Sequence, residues 1–410
     1  MSVAGVEWPH SNRRLINIMR RLAVFALLLA FVAAPVHAQP QSFAQFVAKL
    51  WPDAQDKGIT RATFDLAMKG VTPDARVIAA IHRQPEYGKP FGDYVNALAS
   101  RERVVGGKQK AREWDQSFAG IEKKYRVERW VLLALWGMET DYGAAKDRWD
   151  VFRSLATLAS IGYRAPYFRN ELIVAMGIMQ RDRIPRSRMV SSWAGAMGQT
   201  QFMPSNYVDY AIDASGDGRA DIWNNVPDVL GSTANYLHKG HWIYGLPWGF
   251  EVSVPKGFDL RHSRDSFAGW LTRGVRPIDG KRFPRDGRGI LFFPAGAKGP
   301  AFIATDNYAV LKEYNNSDAY AIAVGHLADL LRGGPPIRAK WPADDRQLSR
   351  DARIALQKKL AALGYHVNDF EGHIDFDLRD NIRAEQVKLG LVPDGNPTRS
   401  LLARLGIKIP

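Results

Sequence analysis

The sequence predicts a mainly α-helical protein: a large helical body with a small β-rich insertion, followed by a second, small helical domain. Three observations lead to this prediction. Apolar residues make up 46% of the 410 residues, which is enough for a large core. Apolar side chains recur at helical spacing through most of residues 43–331. A Gly-Gly-Pro-Pro run at 333–336 then stops the last helix, and a further helical segment of about 60 residues follows.

Helices and strands of the body can be placed individually. Residues 42–51 have apolar side chains at 43, 46, 47 and 50, which is helical spacing. Buried helices are predicted at residues 126–138, 175–180 and 319–331. Strand patterns occur at 250–254 and 289–293, inside the Gly/Pro-rich stretch 245–300. We expect this stretch to form the small inserted subdomain.

The N-terminus has the pattern of an export signal. Arg20 and Arg21 precede an apolar run at 22–32, and small residues lead to a cleavage site after Ala38. The run is shorter than a typical membrane span. We therefore expect residues 1–38 to be removed and the protein to be periplasmic, soluble and not stably inserted in a membrane. The alternatives are a twin-arginine signal at residues 13–14 and a retained anchor helix.

The charge balance favours an acidic polymer as partner. Removal of residues 1–38 leaves 52 basic and 41 acidic residues, a net charge of +11. Nucleic acid is one candidate, but an exported protein meets an acidic envelope polymer instead. The chain has no cysteine, so neither a disulfide nor a lipidated cysteine is expected.

Glu139 stands at the end of an apolar run, in the segment LLALWGMETDYG at 132–143. A carboxylate beside apolar surface costs free energy, so such a group is expected to be paired with a cation, protonated or used in function. Its apolar neighbours and the negative end of the predicted helix both favour the neutral acid. A neutral glutamic acid is what general acid catalysis of glycoside cleavage needs. The alternative is a glutamate that points to water at a helix end.

The segment 191–207, SSWAGAMGQTQFMPSNY, interleaves uncharged polar side chains with aromatic rings. Its small residues allow another group to approach the backbone closely. Its amides and hydroxyls supply neutral hydrogen-bonding groups, and its rings supply flat apolar faces. This combination suits a sugar chain, and the alternative is a loop packed on the core.

Five segments, taken together, resemble the membrane-bound lytic transglycosylase B family, whose members degrade bacterial peptidoglycan. The segments are METDYG, SSWAGAMGQTQFMPSNY, DASGDGRADIW, NYLHKGHW and YNNSDAYAIAV, and they lie in the family's order within residues 40–332. The resemblance implies a lysozyme-like α+β catalytic domain at 39–332, joined by a linker at 333–346 to residues 347–410. Some family members carry a lipidated cysteine. This chain has no cysteine, so it is similar to the soluble members.

The resemblance also implies the site residues. Glu139 would be the catalytic acid. A set of mostly neutral side chains would bind the sugars: Ser192, Gln201, Tyr236, Tyr314, Asn315, Tyr320 and, as a further substrate contact, Arg164.

The chemistry implied by the family uses one carboxylate and no catalytic cofactor. Glycoside hydrolases ordinarily use two carboxylates, and Asp141 is too close in sequence to share a helix face with Glu139. In the family's scheme the acid protonates the oxygen of the β-1,4 bond between N-acetylmuramic acid and N-acetylglucosamine. The same residue then takes the proton of the muramic C6 hydroxyl, which closes a 1,6-anhydro ring. A hydrolytic muramidase and a non-catalytic peptidoglycan-binding protein are the alternatives.

A second constellation, DASGDGRADIWN at 213–224, has metal-binding spacing. Asp213, Ser215 and Asp217 fall at positions 1, 3 and 5 of an EF-hand loop, and a glycine falls at position 6. Asn224 stands at position 12, where a bidentate glutamate is usual, so sensor-like calcium binding is not expected. The family resemblance adds Asp228 and the Arg219 carbonyl as ligands. We expect a structural Ca or Na ion, and the alternative is a turn rich in Asp and Gly.

The tail, residues 347–410, is similar to the small three-helix peptidoglycan-binding domain of wall enzymes. The matching segments are LQKKLAALGY and GLVPDGNPT. The expected partners are therefore peptidoglycan glycan strands, with cell-wall machinery proteins as further candidates and nucleic acid excluded. A generic helical bundle is the alternative.

Overall fold

Helices form most of the first part of the chain in the computed structural model, which describes residues 42–81, 89–146, 148–343, 345 and 347–408. The predicted export signal at 1–38 lies outside the described residues. Within them, no helix is both long enough and apolar enough to cross a membrane. The first helices are α1 (Phe43–Asp56), α2 (Arg61–Met68), α3 (Ala75–Ile81), α4 (Phe91–Leu98), α5 (Arg101–Glu113), α6 (Asp115–Tyr125) and α7 (Arg129–Thr140).

Helix α1 begins at a capping box. The Ser42 side chain accepts a hydrogen bond from the Gln45 backbone, and the Gln45 side chain accepts one from the Ser42 backbone. Phe46, Leu50 and Ala54 form its buried face. The helix predicted at 42–51 is therefore confirmed and continues to Asp56.

Helix α7 is the buried helix that carries Glu139. The prediction placed its start at residue 126, which is wrong, because Arg126 has a φ of 55° and ends α6 in the left-handed region. A new helix then begins at Arg129. Its residues Val131–Gly137 are all buried, and α7 packs against α5, α6 and two later helices, α11 (Val226–Lys239) and α14 (Asp318–Leu331).

The middle of the body brings the segment 191–207 next to α7. Helix α9 contains the helix predicted at 175–180. The buried carboxylate of Glu171 on α9 accepts hydrogen bonds from the backbone and hydroxyl of Ser205, at 2.9 and 2.7 Å, and so caps α10. The elements here are β1 (Trp149–Asp150), α8 (Val151–Ser160), α9 (Ala165–Arg181), a 3₁₀ turn (Arg186–Arg188), β2 (Val190–Ser191), α10 (Pro204–Tyr210) and α11 (Val226–Lys239).

The inserted subdomain is an antiparallel five-stranded sheet in the order β4-β6-β7-β3-β5. Both predicted strands belong to it, as β3 and β6. It has an apolar cluster of its own, which includes Phe250, Phe267, Trp270 and Ile303. The elements are β3 (Gly249–Ser253), β4 (Arg264–Ser266), α12 (Phe267–Thr272), β5 (Arg276–Pro277), β6 (Arg288–Phe292) and β7 (Ala301–Ala304).

The predicted linker lies along the body. After α13 (Asp306–Tyr314) and α14 (Asp318–Leu331), the buried Glu251 carboxylate accepts backbone hydrogen bonds from Arg338 and Ala339. The Trp341 ring stacks on Phe91 with ring centroids 5.1 Å apart. These contacts fix the course of the residues between the last helix of the body and the tail.

The tail consists of α15 (Arg350–Ala362), α16 (Phe376–Lys388) and α17 (Arg399–Arg404). Its separate apolar core includes Leu356, Leu360, Ile382 and Leu401, which confirms the three-helix prediction. The tail also packs onto the body, where the Phe376 ring lies 5.4 Å from that of Phe292. Residues Ser42–Pro410 therefore form one compact unit.

Candidate active site

Glu139 lies in the last turn of the buried helix α7, where its side chain is half-buried. The helix ends because Asp141 and Tyr142 both adopt left-handed backbone, with φ of 50° and 58°. The Gly143 backbone then donates to the Thr140 hydroxyl at 3.2 Å. The predicted position of Glu139 at the negative end of an apolar helix is confirmed.

Gln199 fixes the turn that follows α7. Its side-chain oxygen accepts the indole N–H of Trp136 at 2.7 Å, and its side-chain nitrogen donates to the Trp223 carbonyl at 2.9 Å. Gly143 has a φ of 80°, and a Cβ there would lie 2.3 Å from the same Gln199 oxygen. Only glycine fits this position, so METDYG and AGAMGQ meet as interlocking parts of one site.

Tyr320, on α14, donates its hydroxyl to Oε1 of Glu139. The tyrosine is 4% exposed. Burial, and then the nearby Glu139 carboxyl, raise the pKa of Tyr320 well above its ordinary value. The phenol therefore keeps its proton at any physiological pH and remains a hydrogen-bond donor to the carboxylate.

Two tyrosine rings and one phenylalanine ring form a wall beside this pair. The Tyr314 hydroxyl donates to the Thr200 carbonyl at 2.6 Å. The rings of Tyr236 and Tyr314 have centroids 4.8 Å apart, and Phe202 contacts both. Burial, followed by the Glu139 carboxyl, raises the pKa of Tyr314, so Tyr314 also lies within the electrostatic reach of Glu139. The structure thus brings Glu139, Tyr236, Tyr314 and Tyr320 together.

The neutral polar residues of the predicted site lie in turns. Ser192 and Ala196 form a tight turn, in which the Ser192 hydroxyl accepts the Ala196 N–H at 3.2 Å. Gln201 has a left-handed φ of 52°, and its side chain donates to the Gly198 carbonyl at 2.9 Å. Asn315 is the C-terminal cap of α13, directly after Tyr314. Their roles as sugar ligands stay predictions.

Arg164 lies at the start of α9, with a left-handed φ of 44°. Its guanidinium pairs with Glu371 of the tail at 3.3 Å and lies 4.6 Å from the ring centroid of Tyr167. The side chain is therefore engaged by the tail in this structure. Its predicted contact with substrate stays a prediction.

Tyr94 on α4 lies near Tyr320, a position that sequence reasoning did not identify. It is 9% exposed and close enough to Tyr320 to contribute to the raised pKa of that hydroxyl. Its segment, FGDYVNAL, has the pattern of an ordinary amphipathic helix, so no local signal distinguishes Tyr94 from a core residue. Only the packing of α4 on α14 brings it to the site.

Asp141, the acidic residue nearest to Glu139 in sequence, is held elsewhere. Its carboxylate pairs with Arg103 of α5 at 3.6 Å. This agrees with the prediction that the two carboxylates do not share a helix face. Glu139 is therefore the carboxyl that the Tyr320 hydroxyl contacts, and Asp141 is not a second carboxylate paired with that tyrosine.

The loop 213–228 gathers three carboxylates. One oxygen from each of Asp213, Asp217 and Asp228 lies within 4.8 Å of the other two. Asp228 is fully buried and accepts backbone N–H groups from Ala214 and Ser215, both at 2.9 Å. Backbone N–H groups, Gly218 foremost, lower the pKa of Asp213. These are hard oxygen ligands of the kind that calcium and sodium bind.

Two family descriptions match the chain. "Transglycosylase SLT domain" matches residues 42–329, and "Putative peptidoglycan binding domain" matches residues 349–405. Over 245 residues the chain is 31% identical to membrane-bound lytic murein transglycosylase B of Escherichia coli K12. The matched region is 58% of this chain and 66% of that protein, slightly under two thirds of its length.

Solved structures extend the comparison. SltB3 from Pseudomonas aeruginosa, in complex with NAG-anhNAM-pentapeptide, superposes with a TM-score of 0.79 at 41% identity, covering 89% of this chain and all of that one. The Escherichia coli lytic transglycosylase Slt35, in complex with calcium, superposes with a TM-score of 0.60 at 23% identity, covering 72% of this chain and 94% of that one, and shows the shared fold. The chain therefore belongs to the lytic transglycosylase family of the SLT domain type and carries a C-terminal peptidoglycan-binding domain.

Proposed function

We propose that the protein is a peptidoglycan lytic transglycosylase, a carbon–oxygen lyase acting on a polysaccharide. It cleaves the β-1,4 bond between N-acetylmuramic acid and N-acetylglucosamine and leaves 1,6-anhydromuramic acid ends. The observation that carries the proposal is the pairing of Glu139 with the Tyr320 hydroxyl at the end of an apolar helix. The likeness to SltB3, whose structure holds an anhydro-muropeptide, supports the same reaction.

Each reacting proton passes through Glu139. As the neutral acid, Glu139 protonates the glycosidic oxygen. As the carboxylate, it accepts the proton of the muramic C6 hydroxyl while that oxygen bonds to C1 and closes the anhydro ring. Tyr320 holds the carboxyl in place between the two steps by donating to Oε1. Water is not consumed.

The aromatic wall and the turns around it bind the sugars. Tyr236 and Tyr314 offer ring faces and edges, and Thr200 and Gln199 hold this wall against α7. Ser192, Gln201 and Asn315 supply neutral hydrogen-bonding groups to the acetamide and hydroxyl groups of the glycan. Arg164 is proposed as a further substrate contact, and in this structure its guanidinium pairs with Glu371 of the tail.

A structural cation belongs to the loop 213–228. Asp213, Asp217 and Asp228 would hold it, together with Ser215 and the Arg219 carbonyl. Their close approach fits a calcium or sodium ion, because three carboxylates this near one another repel unless a cation lies among them. The ion would tie the loop to the start of α11 and would take no part in the chemistry.

Residues 1–38 direct export, and the mature protein works in the periplasm on glycan strands. The catalytic region spans 39–332, the linker 333–346 and the binding domain 347–410. The tail increases the time that the catalytic site spends at the wall, as a second binding module on the same chain does. Proteins of the wall-remodelling machinery are further partners.

The experiment is digestion of purified peptidoglycan by the mature protein and by Glu139→Gln, with mass spectrometry of the released fragments. The amide has the shape of the acid but cannot deliver a proton. We expect anhydro ends from the wild type and no turnover from the variant, with unchanged melting and unchanged binding to sacculi. Fragments with reducing ends would instead identify a hydrolytic muramidase. Binding without cleavage by the wild type would identify a non-catalytic wall protein.

A further inference from the structure

A cavity of about 580 Å³ lies outside the catalytic centre, between the end of α9, helix α10 and the loop 218–223. Neither Glu139 nor the tyrosines around it line this cavity. Four arginines and two aspartates do, so its positive charges exceed the negative ones by two. The volume is in the range of small-molecule and peptide sites.

The excess positive charge is carried by Arg183 and Arg219. Arg181 pairs with Asp182 at 2.6 Å, and Arg188 pairs with Asp221 at 2.8 Å. Within the described residues, neither Arg183 nor Arg219 makes an ion pair, and both are exposed. Two guanidinium groups are thus available to a ligand in the cavity.

Arg183 occupies a backbone position that favours glycine. It has a φ of 51°, two residues after the last residue of α9. A helix commonly ends with a glycine in this conformation, because a residue with a Cβ is strained there. The Arg183 side chain lines the cavity.

The remaining wall is aromatic and rigid. The half-buried Trp223 donates its indole N–H to the Val190 carbonyl at 3.1 Å, which fixes the ring. The buried Tyr207 donates to the Ala220 carbonyl at 3.1 Å, and its ring lies 5.7 Å from that of Trp223. The cavity therefore offers a fixed apolar face next to two guanidinium groups.

We propose that this cavity binds the stem peptide of peptidoglycan, with a free carboxylate of the peptide on Arg183 and Arg219. The proposal rests on the proposed function, because it assumes that the wall polymer is the substrate. The peptide also carries an amino group, which can donate to the remaining acceptor positions of the Asp182 and Asp221 carboxylates beside their pairs with Arg181 and Arg188. Both signs of charge therefore favour a zwitterionic peptide over a purely anionic phosphate.

The test is calorimetric binding of the free stem pentapeptide, without sugar, to the full mature chain carrying Glu139→Gln. Arg183→Gly is the informative variant, because it removes the guanidinium and relieves the backbone. Arg126→Gly is the matched control: it removes an arginine at φ 55° at the end of α6, where the guanidinium lies over the Tyr244 ring. Arg219→Gln tests the second guanidinium.

We expect the Kd to rise at least tenfold in Arg183→Gly and in Arg219→Gln, and to stay unchanged in Arg126→Gly. The Tm of Arg183→Gly should equal or exceed that of its parent. Peptide-free glycan and inorganic phosphate should not displace the peptide. An unchanged Kd in Arg183→Gly, displacement by glycan, or displacement by phosphate at similar concentration would each overturn the proposal. Peptide binding is measured in the Glu139→Gln chain, and the proposed reaction is measured in the wild type. A failure of peptide binding is therefore distinguishable from a failure of the proposed function.

Discussion

The Asp318 carboxylate, at the start of α14, accepts a hydrogen bond from the Arg379 guanidinium of the tail at 2.7 Å. Both side chains are nearly buried, with 10% and 4% of their surfaces exposed. Burial raises the pKa of Asp318, but the charges of Lys312 and Arg379 outweigh it and hold that pKa well below its ordinary value. Two residues later, the same helix carries Tyr320, so the tail is anchored to the helix whose tyrosine donates to the Glu139 carboxyl.

Arg379→Leu should lower the free energy of unfolding by about 3–5 kcal/mol, because it leaves the buried Asp318 with one cation fewer. Urea titration measures this. Lys388→Leu on the same helix α16 is the control: the Lys388 ammonium, which pairs with the buried Glu385, is itself exposed to solvent, so its loss should lower the free energy of unfolding much less than Arg379→Leu does. Equal small losses in both variants would mean that the Asp318–Arg379 pair contributes little to stability.

Tyr320→Phe should lower kcat about 10- to 100-fold, because it removes one hydrogen bond to a charged carboxylate, which contributes about 1.5–3 kcal/mol. Release of anhydro-muropeptides from purified peptidoglycan measures the rate. Tyr142→Phe is the control: it removes a hydroxyl bonded to the Arg103 carbonyl at 2.8 Å, near the site but not on Glu139. Wild-type kcat in Tyr320→Phe would remove Tyr320 from the catalytic machinery.

Gly143→Ala should reduce both stability and activity. Its Cβ would meet the Gln199 oxygen at 2.3 Å, so the bond to Trp136 must shift, in addition to the cost of φ 80°. Gly162→Ala isolates the backbone cost, because that residue has a φ of 84° and open space around it. We expect a loss of about 1–2 kcal/mol in the control and a clearly larger loss at position 143. Similar losses of stability in Gly143→Ala and Gly162→Ala would show that the Gln199 side chain moves aside at little cost.

His326 should make stability fall as the pH is lowered from 6.5 to 4. Burial lowers the pKa of His326 to about 4 in the folded protein, against 6.5 in an unfolded chain. Between these values the unfolded chain binds a proton that the folded chain does not, so lowering the pH favours unfolding, by up to about 3 kcal/mol. Denaturant titrations across this window measure it. His326→Gln should flatten the profile, and the exposed His241→Gln should not. If the stability of the wild type and of His326→Gln depended on pH in the same way, the assignment of this effect to His326 would be wrong.

Calcium should raise the Tm of the wild type through the loop 213–228, because a ligand that binds only the folded state stabilises it by mass action. Asp217→Ala should lose most of this rise. Glu313→Ala, at an exposed position on α13, is the control for removal of a negative charge. A Tm that responds neither to calcium nor to a chelator would argue against a reversible calcium site.

Local patterns alone determined much of this protein. The spacing of apolar residues predicted α1, α9 and α14, and strand patterns within a Gly/Pro-rich stretch predicted β3 and β6. The end of an apolar run placed Glu139 at a buried helix terminus. These features are readable because they depend on neighbours within a few residues in the chain.

Tertiary structure alone decided which distant residues meet. Tyr320 is 181 residues from Glu139, and the pairing with Glu139 follows from the packing of α14 on α7. No local pattern indicated that Tyr94 lies near Tyr320, or that Arg164 pairs with Glu371 of the tail. The start of α7 was also decided by a left-handed arginine rather than by periodicity. Such contacts depend on how helix faces pack across the core. Neither helix propensity nor the spacing of apolar residues along the chain determines that packing.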